Sequence, residues 1–179
     1  MCILLIQTYD IQDCFKAYVL DGTESISSIT SYPTPTIANN VLSDGLGYLS
    51  DGFDNTGNWK LEFKYKASGA GAGFILIPTG ITARDKYFVQ LWERNSVSFR
   101  DPNSSVSGGS SFTAFDPDTW VDVEITKQST TLTVVVDNTQ RGQATISTLS
   151  NYNTLYVGLD YMNKSTYHSA IKEIKIKPL

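Results

Sequence analysis

Between Trp120 and Asp137, apolar and polar side chains take turns. Val121, Val123 and Ile125 alternate with Asp122, Glu124 and Thr126. A polar stretch runs from Lys127 to Thr130, and Leu132, Val134 and Val136 then alternate with Thr131, Thr133 and Val135. Period two on both sides of a short polar break predicts a β-hairpin with one buried face. Trp59 to Lys66 alternates in the same way, with Trp59, Leu61, Phe63 and Tyr65 on one side and Lys60, Glu62, Lys64 and Lys66 on the other. A slip of one residue would expose the whole aromatic set, so this register is tightly specified. Phe74 to Ile77 is apolar on both faces, which predicts a central strand, and Pro78 stops it.

Shorter runs extend the pattern. Ile3–Ile6 reads as an edge strand and Phe15–Leu20 as a better one, ended by Asp21-Gly22. Further strands are predicted at Gly47–Ser50, Tyr87–Arg94, Ser96–Arg100, Gln143–Ile146, Leu155–Asp160 and Tyr167–Lys177. In the last of these, the three-residue step from Ile171 to Ile174 suggests a bulge. Residues 23–40 and 101–114, rich in Ser, Thr, Pro, Asn and Gly, read as loops, Ser68–Gly73 as a small-residue connection, and Asp137–Gly142 as a turn. Helical periodicity never persists beyond about one turn. The expectation is an all-β chain: a two-sheet antiparallel β-sandwich of the jelly-roll kind. It is read as one domain over 1–179, with N-terminal strands and an irregular loop in 1–44 and the core sandwich in 45–177.

Composition sharpens this picture in a few places. A hydrophobic share of 41% supports a packed core, and the aromatics include ten Tyr and three Trp, enough to leave some for a binding surface. The net charge of −4, with Lys and Arg scattered except in the last strand, lacks the basic footprint of a nucleic-acid binder. His168 is the single histidine and no Cys-x-x-Cys occurs, which argues against a His/Cys zinc site; Cys2 and Cys14 could pair but do not form a disulfide framework. The apolar run at Ile3–Ile6 is shorter than a signal-peptide core and far shorter than a membrane span, so no membrane insertion is expected. A role outside the cell would then come as part of a larger assembly or particle, or through a signal outside this sequence.

The strands resemble those of the concanavalin A-like lectin/glucanase superfamily, in particular its laminin G-like and carbohydrate-binding-module members. Trp59-Lys60-Leu61-Glu62-Phe63-Lys64-Tyr65 resembles the early strand of those domains. Asp118-Thr119-Trp120-Val121-Asp122-Val123-Glu124-Ile125 and Leu132-Thr133-Val134-Val135-Val136-Asp137 resemble their hairpin, and Ala170–Ile176 is similar to their closing strand. The usual glycine after the hairpin Asp is Asn138 here, a residue that also tolerates positive φ. The match covers about residues 45–177. It implies two curved sheets with a concave face, which in this superfamily commonly binds glycans at the face or its rim.

Catalytic readings find little support. Retaining glucanases of the superfamily place carboxylates in a pattern like E-x-D-x-x-E, and the nearest stretch, Asp122-Val123-Glu124, lacks the third acid. Those two carboxylates read as a solvated outer face. His168 has no nucleophile partner motif, and the glycines of 69–73 precede no Gly-Lys-Ser/Thr, so neither a hydrolase nor a phosphate loop is expected. Asp51, Asp54 and Asn55 in D-G-F-D-N-T-G are a calcium-like grouping, but a plain turn is the better reading and no cofactor is expected. A binding face is the remaining candidate. Alternation in Phe88–Arg94 puts Phe88, Gln90, Trp92 and Arg94 on one side and Tyr87, Val89, Leu91 and Glu93 on the other. Gln90, Trp92 and Arg94 would form an open sheet face with Ser98 and Arg100 alongside, and Tyr156, Asp160 and Tyr161 could add to it. An aromatic ring beside amide and guanidinium groups suits a sugar. The expected function is non-catalytic recognition of a glycan or cell-surface polymer, in a surface adhesin or the host-binding protein of a phage or virus. The alternative is a structural domain that docks on other subunits of an assembly.

Overall fold

Alternation becomes geometry in the strand Trp59–Ala67. Its odd positions are buried and its even positions half-exposed along all nine residues, as a strand with one core face requires. The computed structural model describes residues 16–28, 34–69, 72–80, 86–92, 94–103, 106–161 and 168–179, and strands are numbered in chain order. The expected strand at Ile3–Ile6 and both cysteines lie outside these residues.

Two antiparallel sheets form a sandwich. The first has the order β14 (Thr139–Thr145), β13 (Thr131–Val136), β12 (Val121–Gln128), β7 (Trp59–Ala67), β16 (Ser169–Pro178), β4 (Val41–Ser43) and β3 (Thr36–Ala38), with β1 (Lys16–Ala17) also paired to β16. The second runs β11 (Val106–Ser111), β10 (Ser96–Arg100), β9 (Val89–Trp92), β8 (Ala72–Pro78), β15 (Thr154–Tyr161), β5 (Gly47–Leu49) and β2 (Ile26–Ser28), with β6 (Phe53–Asp54) also paired to β15. Neither sheet closes into a barrel. Among the described strands the chain crosses between sheets at β1–β2, β2–β3, β4–β5, β6–β7, β7–β8, β11–β12, β14–β15 and β15–β16, which is the winding of a jelly roll.

Side chains from the two inner faces make one core. Phe63 of β7 stacks on Phe74 of β8 with ring centroids 4.4 Å apart, and Phe53 meets Trp59 edge-on at 5.1 Å. Leu61 pairs with Ile125 on one side and Ile176 on the other, so three strands bury their apolar rows at the same level. The bulge expected between Ile171 and Ile174 is present: the β16–β7 register shifts between Lys172 and Lys175, with Glu173 at φ 56°. It lets both Ile171 and Ile174 face inward.

Several sequence expectations change. The polar stretch 127–130 is not all turn: β12 runs to Gln128, the turn is Ser129-Thr130, and Lys127 points inward with 3% of its surface exposed. The turn after β13 is also shorter than expected. It is Asp137-Asn138, both at positive φ, and β14 starts at Thr139. Short strands β2 and β3 occur within the expected loop 23–40, and β11 within 101–114. Gly73 belongs to β8 rather than to a connection, paired opposite Asp160, and glycine is required there because a Cβ would lie 1.6 Å from the Leu91 carbonyl oxygen. A 3-10 helix, Ser147–Asn151, anchors its end of the sandwich through buried Leu149.

The outer face of the first sheet is a lattice of opposite charges. Lys60 contacts Glu62 at 2.9 Å and Glu124 at 3.1 Å, Lys64 contacts Asp122 at 2.8 Å, and Lys177 reaches Glu62 at 2.8 Å. Trp120 lies on this face between the ammonium groups of Lys66 (5.0 Å) and Lys172 (4.7 Å). Burial favours the neutral form of Glu62, but the bonds from Lys177 and Lys60 outweigh it and hold its carboxyl below the ordinary 4.5. Stability drawn from that carboxylate is full above its unfolded value and is lost as pH falls through the folded one. Glu62→Gln is therefore expected to lower stability by roughly 1 kcal/mol at pH 7, a Tm loss of about 2–4 °C. In melting curves taken across pH, the gap between variant and parent should close below pH 4.5; a gap that stays constant would contradict the network.

Candidate functional site

The outer face of the second sheet has a different chemistry. Strand β8 is buried on both sides: Phe74 and Leu76 join the main core, while Ile75 and Ile77 form a second cluster outside it with Leu46 and Tyr87. Tyr48 and Tyr156 pack against this cluster and stack on each other at 4.7 Å. Tyr156 is opposite Ile77, and Gly158 is opposite both Ile75 and Tyr48.

Gln90 and Asp160 occupy the middle of this face. Gln90 is opposite Ile75 on β8 and Ser98 on β10, and Asp160 is opposite Gly73. The Gln90 side-chain amide crosses β8 and donates from Nε2 to Oδ2 of Asp160. Both side chains are buried, with 3% and 2% of their surface exposed. They are polar groups placed on the solvent side of a sheet and yet withdrawn from solvent, where each depends on its hydrogen-bond partners.

Next to this pair a groove of about 430 Å³ crosses β9, β10 and β11. Tyr87, Gln90 and Trp92 line one part, and Ser96, Ser98, Gly109, Ser110 and Ser111 line the rest. The Tyr87 and Ser98 hydroxyls are 3.0 Å apart, Ser96 donates to the Trp92 carbonyl at 3.0 Å, and the Arg100 guanidinium stands 6.0 Å from the Tyr87 ring centre. Aromatic walls over a hydroxyl-bearing floor can stack against an apolar ring face and hydrogen-bond its edges.

Of the residues predicted from sequence, Gln90, Trp92, Arg100, Tyr156 and Asp160 share this face. Two features differ from expectation. The face is not open at Gln90, which is buried against Asp160. Arg94 is not on the face: it follows the end of β9, and its Nη1 donates to the Phe115 carbonyl at 2.6 Å while its own carbonyl accepts the Phe115 N–H at 3.2 Å. It clamps the segment that leads into β12. Tyr161 ends β15, and its side chain lies outside the described residues.

Alternation also misplaced two neighbours. Phe88 is in the main core, edge-on to Tyr152, and Tyr87 is on the outer face. Phe88 precedes β9 and bonds to β8 before regular pairing starts (Phe88 N–H to the Leu76 carbonyl, 2.8 Å), so Phe88 and Val89 both face inward and the period breaks between them. Tyr48 and the serines of β11 were missed as well. A single tyrosine in a three-residue strand, and a Ser/Gly run that reads as a loop, carry no periodic signal.

The calcium-like grouping is otherwise engaged. Asp51 pairs with Lys16 at 2.8 Å, Asp54 accepts the N–H and hydroxyl of Thr56, and the Asn55 side chain is buried among protein partners. Among the described residues no group of three His, Cys, Asp or Glu side chains is placed to hold a metal, and no helix is long and apolar enough to cross a membrane. His168 pairs through Nδ1 with Asp44 at 2.6 Å, on the surface.

No protein-family model matches the chain, and a search of curated proteins returns no match. Solved structures do match it in shape. The carbohydrate recognition domain of Emp47p superposes with a TM-score of 0.55 at 14% identity, covering 97% of this chain and 91% of that one. A prokaryotic β-1,3-1,4-glucanase (lichenase) from a mouse hindgut metagenome gives 0.61 at 11%, covering 94% and 100%. The CBM2 module of the evolved Dit protein of Lactobacillus casei BL23 phage J-1 gives 0.55 at 13%, covering 93% and 97%. The shared fold is a two-sheet antiparallel β-sandwich, as the strand pattern of the sequence implied. At these identities the likeness concerns the fold alone.

Removing one member of the buried pair tests its structural share. Gln90→Ala is expected to cost about 1–3 kcal/mol by taking a donor from a carboxyl without solvent, or roughly 2–10 °C in Tm. Thermal unfolding unchanged within a degree would show that the pair does not form.

Proposed function

We propose that this protein is a non-catalytic recognition module that binds a glycan or cell-surface polymer on the outer face of its second sheet. The observation that carries this reading is the buried Gln90–Asp160 pair beside Trp92 and Tyr87, on the face that should otherwise be solvated. Withdrawing an amide and a carboxyl from water carries a desolvation cost that an apolar pair would avoid, and planar polar groups held next to aromatic rings are what sugar hydroxyls and ring faces require. Trp92 is the stacking platform. Gln90, held in place by Asp160, orients hydroxyls, Arg100 flanks Tyr87, and Tyr156 extends the face across β15.

The fold neighbours support the carbohydrate class. Emp47p contributes a carbohydrate recognition domain and the phage J-1 Dit protein a CBM2 module, and the latter is in line with a phage setting. Hydrolases also share the fold. Against a hydrolase stands the state of the two acids that sequence singled out. Asp122 and Glu124 are on the other sheet, paired with Lys64 and Lys60, and the described lining of the groove holds no pair of carboxylates. The second reading, a structural domain docked on another subunit, would use the same half-exposed Trp92.

A glycan array probed with the parent protein, Trp92→Ala and Lys64→Ala tests the reading. The expected result is binding by the parent, about tenfold or greater weakening in Trp92→Ala, and no change in Lys64→Ala on the opposite sheet. Absence of any bound glycan together with a stable oligomer by light scattering would favour the docking domain. Equal binding by parent and Trp92→Ala would place the site elsewhere.

A further inference from the structure

Lys127 occupies an unexpected place. It follows Val121, Val123 and Ile125 on the inward side of β12, a row in which every other member is apolar. Its ammonium is buried under the turn that follows β6, where Nζ donates to the carbonyl oxygens of Asn55 and Gly57, the latter at 3.0 Å. Burial disfavours the charge and draws the group below its ordinary 10.5, while the charge of Asp54 opposes that shift.

The turn is fastened from every side except that of the ammonium. The Asn55 side chain donates to the carbonyls of Leu149 (2.8 Å) and Tyr152 (2.7 Å) and accepts from the Trp59 indole at 3.0 Å, while its backbone N–H reaches the Asn153 carbonyl at 2.8 Å. Asn58 accepts the Ser129 N–H at 2.8 Å and, through its carbonyl, the Leu179 N–H at 3.1 Å. Four separate parts of the chain thus hold Asn55 and Asn58, which flank the turn: β7, the 3-10 helix and its exit, the β12–β13 turn, and the C-terminal residue. Two convergent carbonyl oxygens, with the Asp54 carboxylate on the same turn, supply part of the oxygen set that a hard cation takes, and water would complete it. A cleft of about 410 Å³ lined by Asp54, Gly57 and Asn58 opens beside them.

We infer that the 54–57 turn is a cation site which the chain fills with its own ammonium, and that removing the Lys127 side chain turns it into a site for a monovalent metal ion. An ammonium and a potassium ion have similar size and accept similar carbonyl cradles, so potassium is the expected substitute. The tethered group brings its charge without an ion-binding equilibrium, and the parent protein is therefore indifferent to which cation the buffer contains. The calcium-like appearance of D-G-F-D-N-T-G thus has a physical origin: the turn is built for a positive charge, and a lysine 70 residues later supplies it.

The test compares melting temperatures at one ionic strength in choline chloride, potassium chloride and calcium chloride. The parent should melt at the same temperature in choline and potassium. Lys127→Ala should melt roughly 4–10 °C lower in choline and recover part of that loss in potassium, the recovery growing with the logarithm of its concentration. Lys127→Met, which keeps the stem in the cavity, should show the loss without the recovery. A parent stabilised by potassium or calcium over choline, or a folded Lys127→Ala that responds to neither ion, would overturn the inference. A measurement on the parent alone guards against a variant that does not fold. The Lys127 ammonium should give a slowly exchanging 15N–1H signal at neutral pH, coupled through space to residues 55–57. Its absence would equally overturn the claim.

Discussion

Strand β8 is apolar on both faces, and the arrangement of the second sheet follows from this. Phe74 and Leu76 must meet the first sheet, and they do so on Phe63 and its neighbours. Ile75 and Ile77 then face the outside, where bare they would be an exposed apolar strip in the middle of a sheet. Leu46, Tyr87, Tyr48 and Tyr156 cover them. The side chains that shield the strip are mostly tyrosines, with an apolar body and a polar tip, so the shield is itself a surface suited to amphipathic ligands. The Gln90–Asp160 pair and the groove beside Trp92 border this cluster because β9 and β15 are the two neighbours of β8.

The two outer faces therefore divide the work. On the first sheet Lys60, Lys64 and Lys177 pair with Glu62, Asp122 and Glu124 in a lattice of opposite charges. On the second sheet the Gln90–Asp160 pair is buried, and the floor beside it is exposed and half-exposed serine and glycine. Both faces belong to strands that share one core, so the core can be well packed without constraining what either exterior binds.

Much of the sandwich was legible because burial on one face imposes period two. Trp59–Lys66 and Val121–Ile125 carried their register in the sequence, and even the bulge at Ile171–Ile174 showed as a broken step. The same reasoning brought Gln90, Trp92, Arg100, Tyr156 and Asp160 to one face although they come from three strands. It failed where a residue's partner is tertiary. Nothing local says that Lys127 is buried, since its acceptors belong to Asn55 and Gly57. Nothing local distinguishes Arg94 on a face from Arg94 clamped on Phe115. Strand β11 pairs through serines and glycines that by themselves read as loop, and it is held by β10 and by the bond from Ser110 to the Arg141 carbonyl.

The central claim is that recognition takes place on the outer face of the second sheet, and amide hydrogen exchange addresses it directly. Exchange would be followed with and without a mixture of soluble cell-wall and capsular polysaccharides. The account predicts slower exchange confined to β9, β10, β11 and the Tyr156–Asp160 part of β15, with β7, β12 and β13 unchanged. Protection centred on β7 and β12, beneath the charged lattice, would contradict it.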